Sequence, residues 1–220
     1  MRTRIERDYA QVRHNIGLLY STHPESPKNA EYQNLLKDID KLELEQKRKS
    51  EAEERERIRL ENIGNTGIWE IDYYVDRFGE KTTEGYIKNK DLIIGRFSNT
   101  ATQNSALNVE FLISSSTDIC IQLYEYARNS PVKVASPEYP VYYSVEIKDS
   151  EGHKYTLWAA NYSDRLQFDE KNSKSVHNVL IKGGQVGFWI QEADRPTSQY
   201  QFTIDRADWY DNAYNKLTGK

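Results

Sequence analysis

The 220-residue chain contains one cysteine, one methionine and four histidines. A single cysteine excludes an internal disulfide framework and any cysteine-rich zinc site. No two histidines stand at a ligand-like spacing such as His-x-x-x-His, so the sequence predicts no metal site and no other cofactor. Long apolar runs are also missing, and with a mean hydropathy of -0.85 the sequence predicts no membrane-spanning helix.

An excess of basic residues is missing as well, because 30 Lys and Arg face 34 Asp and Glu. A nucleic-acid partner is therefore not expected, since binding phosphates needs a basic stripe. The motifs Gly-x-Ser-x-Gly, Gly-x-Gly-x-x-Gly and the Walker loop are all absent. Cys120 stands between two isoleucines in a run typical of a strand, which favours a buried, unreactive side chain. We therefore nominate no catalytic residue.

Charged and aromatic residues are distributed unevenly along the chain. Residues 1–63 hold 26 charged residues, equally divided in sign, and only three aromatic residues. The remaining 157 residues hold 23 aromatic residues, each of which buries roughly 150–250 Å² when it enters a core. This split predicts a helical segment at 1–63 that buries only a narrow stripe, followed by a core-forming domain at 67–217.

The first segment has the apolar spacing of helices. Spacings of four and three, which are also those of a coiled coil, connect Ile5, Tyr9, Val12, Ile16 and Leu19. Pro24 and Pro27 interrupt the pattern, and a second apolar stripe from Tyr32 to Leu42 predicts a helical hairpin. After Leu42 the apolar positions become polar, so we interpret the continuation as a charged stalk helix or, alternatively, a partner-binding helix.

From Trp69 onward the apolar period becomes two, which indicates strands. Further short apolar runs with turn-rich connections follow, including one at 165–168, and short helices are predicted at 173–181 and 207–217. We therefore expect an antiparallel β-sandwich preceded by the helical hairpin and charged helix. The predicted fold class is mainly β with an α-helical N-terminal extension.

Tyrosine is unusually abundant, with 16 residues. In a strand, neighbouring side chains point to opposite faces, so a tyrosine doublet must expose one of its rings. Exposed tyrosines contact sugars or protein partners, or alternatively stabilise a sheet as cross-strand pairs. The candidate binding residues are Tyr74, Tyr124, Tyr126 and Tyr142.

Acidic clusters leave a hydrolase as an alternative. Asp205 and Asp208 stand where a helix start favours acids, and the calcium-loop pattern is absent. A catalytic pair of carboxylates is assembled in three dimensions at about 5–10 Å and is not visible in sequence spacing.

Four groups of sequence strings resemble a group of bacterial proteins of unassigned function, which have a helical leader and a C-terminal β-domain. The strings are residues 74–80, 95–105, 145–149 with 161–165, and 200–204 with 212–214. The chain also resembles, more distantly, envelope proteins associated with type VI secretion. The resemblance covers about residues 67–217; it implies an envelope protein and supplies no catalytic residues.

Together these observations favour a non-enzymatic binding or scaffold module associated with the bacterial cell envelope. A glycan- or wall-acting hydrolase is the first alternative, and a structural component of a virion or secretion assembly is the second. The expected partners are a protein or a glycan, with an oligomer through the N-terminal helices as a further expectation. No apolar signal-peptide core follows Met1, so the sequence as written predicts a cytoplasmic protein, or a periplasmic protein or lipoprotein whose leader was removed.

Overall fold

The computed structural model describes residues 4–125, 141–162, 165–193 and 198–219, with the backbone alone for 4–7. The chain divides into two compact units, Met1–Ile63 and Gly64–Lys220. No helix of the described residues is both long and apolar enough to cross a membrane, as the hydropathy predicts.

The first unit consists of α1 (Arg4–Thr22) and α2 (Asn29–Glu61). The helices run antiparallel, because Arg13 of α1 binds Asp40 of α2 at 2.6 Å, while Tyr20 and Tyr32 meet edge to face near the turn. Ile16 and Ile39 are the buried hydrophobic residues described in this unit.

The coiled-coil expectation is wrong for these helices. The residues expected in the apolar seam remain largely in water, since Leu19, Leu35 and Leu42 are 38%, 45% and 47% exposed. A coiled coil needs each such residue to insert between four residues of the facing helix. The short α1 and the polar composition of α2 beyond Leu42 leave too few apolar positions for that packing.

The described residues of the second unit form ten strands and two helices. The strands are β1 (Trp69–Val75), β2 (Lys81–Asn89), β3 (Ile93–Ser98), β4 (Ser105–Ser115), β5 (Asp118–Tyr124), β6 (Tyr142–Lys148), β7 (Lys154–Asn161), β8 (Leu166–Phe168), β9 (Val186–Glu192) and β10 (Gln199–Ile204). The helices are α3 (Glu170–Lys182), which precedes β9, and α4 (Tyr210–Thr218), which follows β10.

The predicted β-sandwich is wrong, because eight of these strands form a closed antiparallel barrel. The strand order around the barrel is β4-β3-β10-β9-β6-β7-β8-β5, and β5 pairs again with β4. The short strand β8 joins the two sides, since Gln167 pairs with Cys120 of β5 and with Ala160 of β7. The β1–β2 hairpin lies outside this ring and pairs with the end of β4 through Ile87 and Ile113.

One end of the barrel is closed by apolar residues of the helices. Asp169 caps α3 by accepting a hydrogen bond from the Asn172 backbone at 2.7 Å, which places Val176 and Leu180 in the core. Trp69 is fully buried beside Tyr210 of α4, with ring centroids 5.3 Å apart. Both helices therefore supply apolar surface to the same core as the strands.

The opposite end of the barrel interior is polar. Inward-facing positions at the strand ends there carry hydroxyl, amide and carboxyl groups, whereas those in the middle are aliphatic or aromatic. We call this set the polar end: Ser105, Glu125, Tyr143, Asn161, Glu192 and Tyr200. The barrel therefore has one end closed by apolar packing and another end where buried polar groups must find hydrogen-bond partners.

Candidate functional site

Two tryptophan side chains are exposed on one outer face of the barrel. Trp158 on β7 is 49% exposed and Trp189 on β9 is 39% exposed. Strand β6 lies between these strands, with Ser144 paired to Trp158 and Glu146 paired to Trp189. We call Trp158, Trp189, Ser144 and Glu146 the tryptophan platform.

A groove adjoins the platform, because Gly187 has no side chain on the outer face of β9. A methyl group added at Gly187 would meet no atom within 4 Å. The resulting cavity of about 170 Å³ is lined by Trp189 and by residues of β6, β7 and β10. A second recess of about 410 Å³ shares Gly187 and continues toward the β6–β7 turn. We call the two recesses together the Gly187 groove.

The polar residues around the groove offer both hydrogen-bond donors and acceptors. Glu146, Gln201 and Thr203 line the first recess beside the Trp189 ring. Ligand sites typically combine aromatic surfaces with a few polar groups that fix the orientation of the ligand. A sugar ring has a matching construction, since it has C–H bonds on its faces and hydroxyl groups around its rim.

The predicted tyrosines do not form one patch. Tyr74 is 45% exposed and packs on Tyr86, with ring centroids 4.9 Å apart. Tyr124 is half-buried, and its hydroxyl donates a hydrogen bond to the Gln122 side-chain oxygen at 2.5 Å and lies 3.3 Å from the Glu110 carboxylate. Tyr142 is 52% exposed and lies on β6, on the same face as the tryptophan platform.

Tyr126, the fourth predicted tyrosine, lies outside the described residues. A binding role for the four tyrosines stays a prediction.

The sequence interpretation missed Trp158 and Trp189, although a signal was present. Leu157 and Ile190 are clear core positions. Because neighbouring residues of a strand face opposite sides, Trp158 after Leu157 and Trp189 before Ile190 must face outward.

A charged cluster joins the β6–β7 turn to the last turn of α3. The side chain of Asp149 is fully buried and lies 2.8 Å from the Lys182 ammonium. It also accepts hydrogen bonds from the His153 backbone and the Tyr155 hydroxyl. The hydrogen bond from Lys182 is the main reason that the pKa of Asp149 lies far below its usual range.

This cluster also has the composition of a metal site. Asp149, Glu151 and His153 each offer one ligand atom, and these atoms lie within 4.8 Å of one another. However, the Lys182 ammonium lies 2.8 Å from Asp149 and 3.1 Å from Glu151, so a cation is already supplied by the chain. The cluster therefore acts as an anchor between the hairpin and the helix.

At the polar end, Glu125 is only 7% exposed. It accepts hydrogen bonds from the Tyr200 hydroxyl at 3.0 Å and from the Asn99 amide at 3.3 Å. Burial raises the pKa of Glu125 despite these two bonds. Burial, together with the charges of Glu192 and Glu125, raises the pKa of Tyr143 to about 12. Perturbed acids of this kind concentrate at functional sites, so this end is the second candidate site.

The fold and the sites define a closed eight-stranded barrel with a helix-capped apolar end, a polar end and an aromatic platform on its outer wall. No protein-family description, curated protein or solved structure matches the chain. The resemblance to bacterial envelope proteins is therefore not tested by any relative.

Proposed function

We propose that the protein is a non-enzymatic binding module that holds a saccharide chain on the tryptophan platform. The supporting observation is the pair of half-exposed indoles on one face of the barrel, next to the Gly187 groove. Tryptophan side chains are large, and two of them exposed on one face form an apolar surface of the kind that marks interaction sites.

The spacing of the indoles favours an extended ligand. Trp158 and Trp189 lie two strand intervals apart and one step of two residues along the strand, so their anchor points are about 12 Å apart. A single sugar ring does not span this distance, whereas a short oligosaccharide does. Polar side chains between the rings favour a sugar over a protein partner, whose interface core is depleted of charged groups.

Alanine substitution of each tryptophan tests this proposal on the full chain. Trp158→Ala and Trp189→Ala should each weaken binding to the retained sugars of a glycan array by about tenfold or more, the effect of removing a central aromatic contact. Tyr74→Ala is the matched control, because it removes an exposed aromatic residue from the β1–β2 hairpin, outside the barrel ring. Melting curves check that each variant is folded.

Two outcomes would contradict the proposal that the tryptophan platform binds a saccharide. The wild-type chain would bind no glycan, or Tyr74→Ala and Tyr142→Ala would abolish binding while the tryptophan variants retain it. The second outcome would favour the tyrosines predicted from the sequence. The association with the bacterial envelope rests on the sequence resemblance alone and is proposed with it.

A hydrolase acting on a glycan or wall polymer is the second candidate, and the polar end favours it. Glu125 is a buried acid with a raised pKa, and Glu192 is a second carboxyl group whose charge acts on the same Tyr143. Release of reducing ends from wall polymers by the wild-type chain, lost in Glu125→Gln, would support this function. Equal release by both proteins, or none by the wild type, would contradict it.

A further inference from the structure

Two lysines face each other beside the Gly187 groove. Lys148 of β6 and Lys154 of β7 are direct cross-strand partners, both exposed, and both line the first recess with Trp189. Among the described residues, neither has a carboxylate within 4.0 Å of its ammonium group. The carboxylate of Glu146 lines the same recess without pairing with them.

Such a pair is unfavourable for the sheet. Directly opposite side chains have Cβ atoms about 4.5–5.5 Å apart, and two like-charged side chains in such a pair destabilise a sheet. On the β1–β2 hairpin, by contrast, Lys88 lies opposite acidic residues and forms ion pairs with Glu70 and Asp72. The Lys148–Lys154 pair thus places two like charges opposite each other, in a chain of net charge -4, at the position where the groove opens.

From this charge pattern we propose that the ligand is an acidic polysaccharide with one carboxylate on each sugar ring, of the uronate type. The inference rests on the proposed function and specifies its ligand class. With a ring stacked on Trp189, the sugar carboxylate lies between Lys148 and Lys154. Glu146 and Gln201 then face the sugar hydroxyls.

The charge balance of the recess favours a carboxylate. Two lysines and Glu146 give the recess a net charge of about +1, counting only ionised side chains at neutral pH. A uronate ring brings a single negative charge. A phosphate monoester would bring about -1.5 to -2 at pH 7, and its second charge would face Glu146 unpaired.

The test compares an oligogalacturonate with its fully methyl-esterified form, which keeps the ring and loses the charge. The full-length wild type should bind the acid form more tightly, by about fivefold to tenfold, the effect expected of two exposed ion pairs. The double variant Lys148→Gln/Lys154→Gln should lose this preference and retain binding of the ester. Lys171→Gln on α3 is the control for a charge change away from the groove.

A second measurement needs no ligand. Because the lysines repel, the double variant should melt up to about 3 °C higher than the wild type at low salt, and the difference should shrink at high salt. Lys171→Gln should show no such gain. A lower melting temperature in the double variant would show that the pair stabilises the sheet and would overturn the inference.

The outcomes separate this inference from the proposed function. If Trp189→Ala abolishes binding of both sugar forms and the wild type does not prefer the acid form, the platform stands and the acidic ligand is wrong. If neither form nor any other glycan binds, both proposals fail. If inorganic polyphosphate binds as tightly and with the same lysine dependence, the groove is a general anion site and the uronate ligand is wrong.

Discussion

Replacing Glu125 by glutamine should make the barrel more stable at neutral pH. The ionised carboxyl group is 7% exposed and its hydrogen-bond donors, Tyr200 and Asn99, are both neutral. A buried charge without an opposite charge loses several kcal/mol of hydration, which two hydrogen bonds of about 1.5–3 kcal/mol each offset only in part. Burial is the main reason that the pKa of Glu125 is raised, which favours the neutral carboxyl group.

Glutamine keeps the size of the side chain and removes the charge. The Asn99 side-chain oxygen is held by the backbone of Ala101 and Thr102, which fixes its amide group toward residue 125. A glutamine oxygen can accept from this amide, while its own amide donates to the Tyr200 hydroxyl. We therefore expect a gain of about 1–2 kcal/mol, because both polar contacts survive and only the charge is lost.

The pH dependence follows from the direction of the pKa change. Folding raises the pKa of Glu125 above its ordinary value of 4.5. Between pH 4.5 and the raised pKa, the folded state therefore binds more protons than the unfolded state. Stability contributed by this group is therefore fully present below pH 4.5 and falls as the pH rises through the raised pKa. The gain from Glu125→Gln should accordingly appear at neutral pH and vanish toward pH 4.

Thermal unfolding across pH 4–8 provides the assay, and about 1–2 kcal/mol corresponds to a rise of about 2–8 °C at pH 7 for a domain of this size. Tyr200→Phe is the paired control. Removing its hydroxyl should lower stability at neutral pH, where it donates to a charged group, and less so at pH 4. A Glu125→Gln variant that is less stable at pH 7, with an unchanged pH slope, would refute the reasoning.

Three further predictions concern the rest of the chain. Asp149→Asn should lower the melting temperature at neutral pH, because the pKa of Asp149 is depressed by Lys182. The variant should also lose less stability than the wild type as the pH falls, and melting curves at acidic pH measure this difference. Gly95→Ala should lower the free energy of unfolding by about 1–3 kcal/mol, because its Cβ would lie 2.5 Å from the Gln201 carbonyl oxygen. Gly187→Ala is the control and should fold normally, because its Cβ would meet no atom within 4 Å. Denaturant unfolding of the two variants compares them. A chain beginning at Gly64 should melt cooperatively, because all residues of the main core lie beyond it, and light scattering of both chains tests whether the helices mediate self-association.

The closure of the barrel depends on contacts that the sequence pattern does not encode. Alternating residues predict that 165–168 is a strand, but three residues of β8 are too few to indicate its neighbours. Its pairing with both β5 and β7 turns two packed layers into one ring. An alternating pattern specifies one buried face for each strand and does not distinguish a sandwich from a barrel.

The sequence pattern predicts both short helices of the second unit, although each helix starts three residues away from its predicted position. Asp169 starts α3 three residues before the apolar stripe indicates, and Trp209, with a left-handed backbone, delays α4 to Tyr210. For the site, the informative signal is the strand phase, which the abundance of tyrosine does not report. That phase places Trp158 opposite to Leu157 and exposes it, and the groove depends on the neighbouring strand β9, which no local pattern specifies.

The two unfavourable electrostatic features of the barrel lie far apart, which makes their roles separable. Lys148 is five residues along β6 from Tyr143 at the polar end, or about 17 Å, and it faces outward whereas Glu125 faces inward. At this separation the stability gains of Glu125→Gln and the double lysine variant should add within about 0.5 kcal/mol. Only the lysine change should alter saccharide binding. If Glu125→Gln also weakened binding of the acidic oligosaccharide, the two sites would be coupled, and the polar end would take part in recognition.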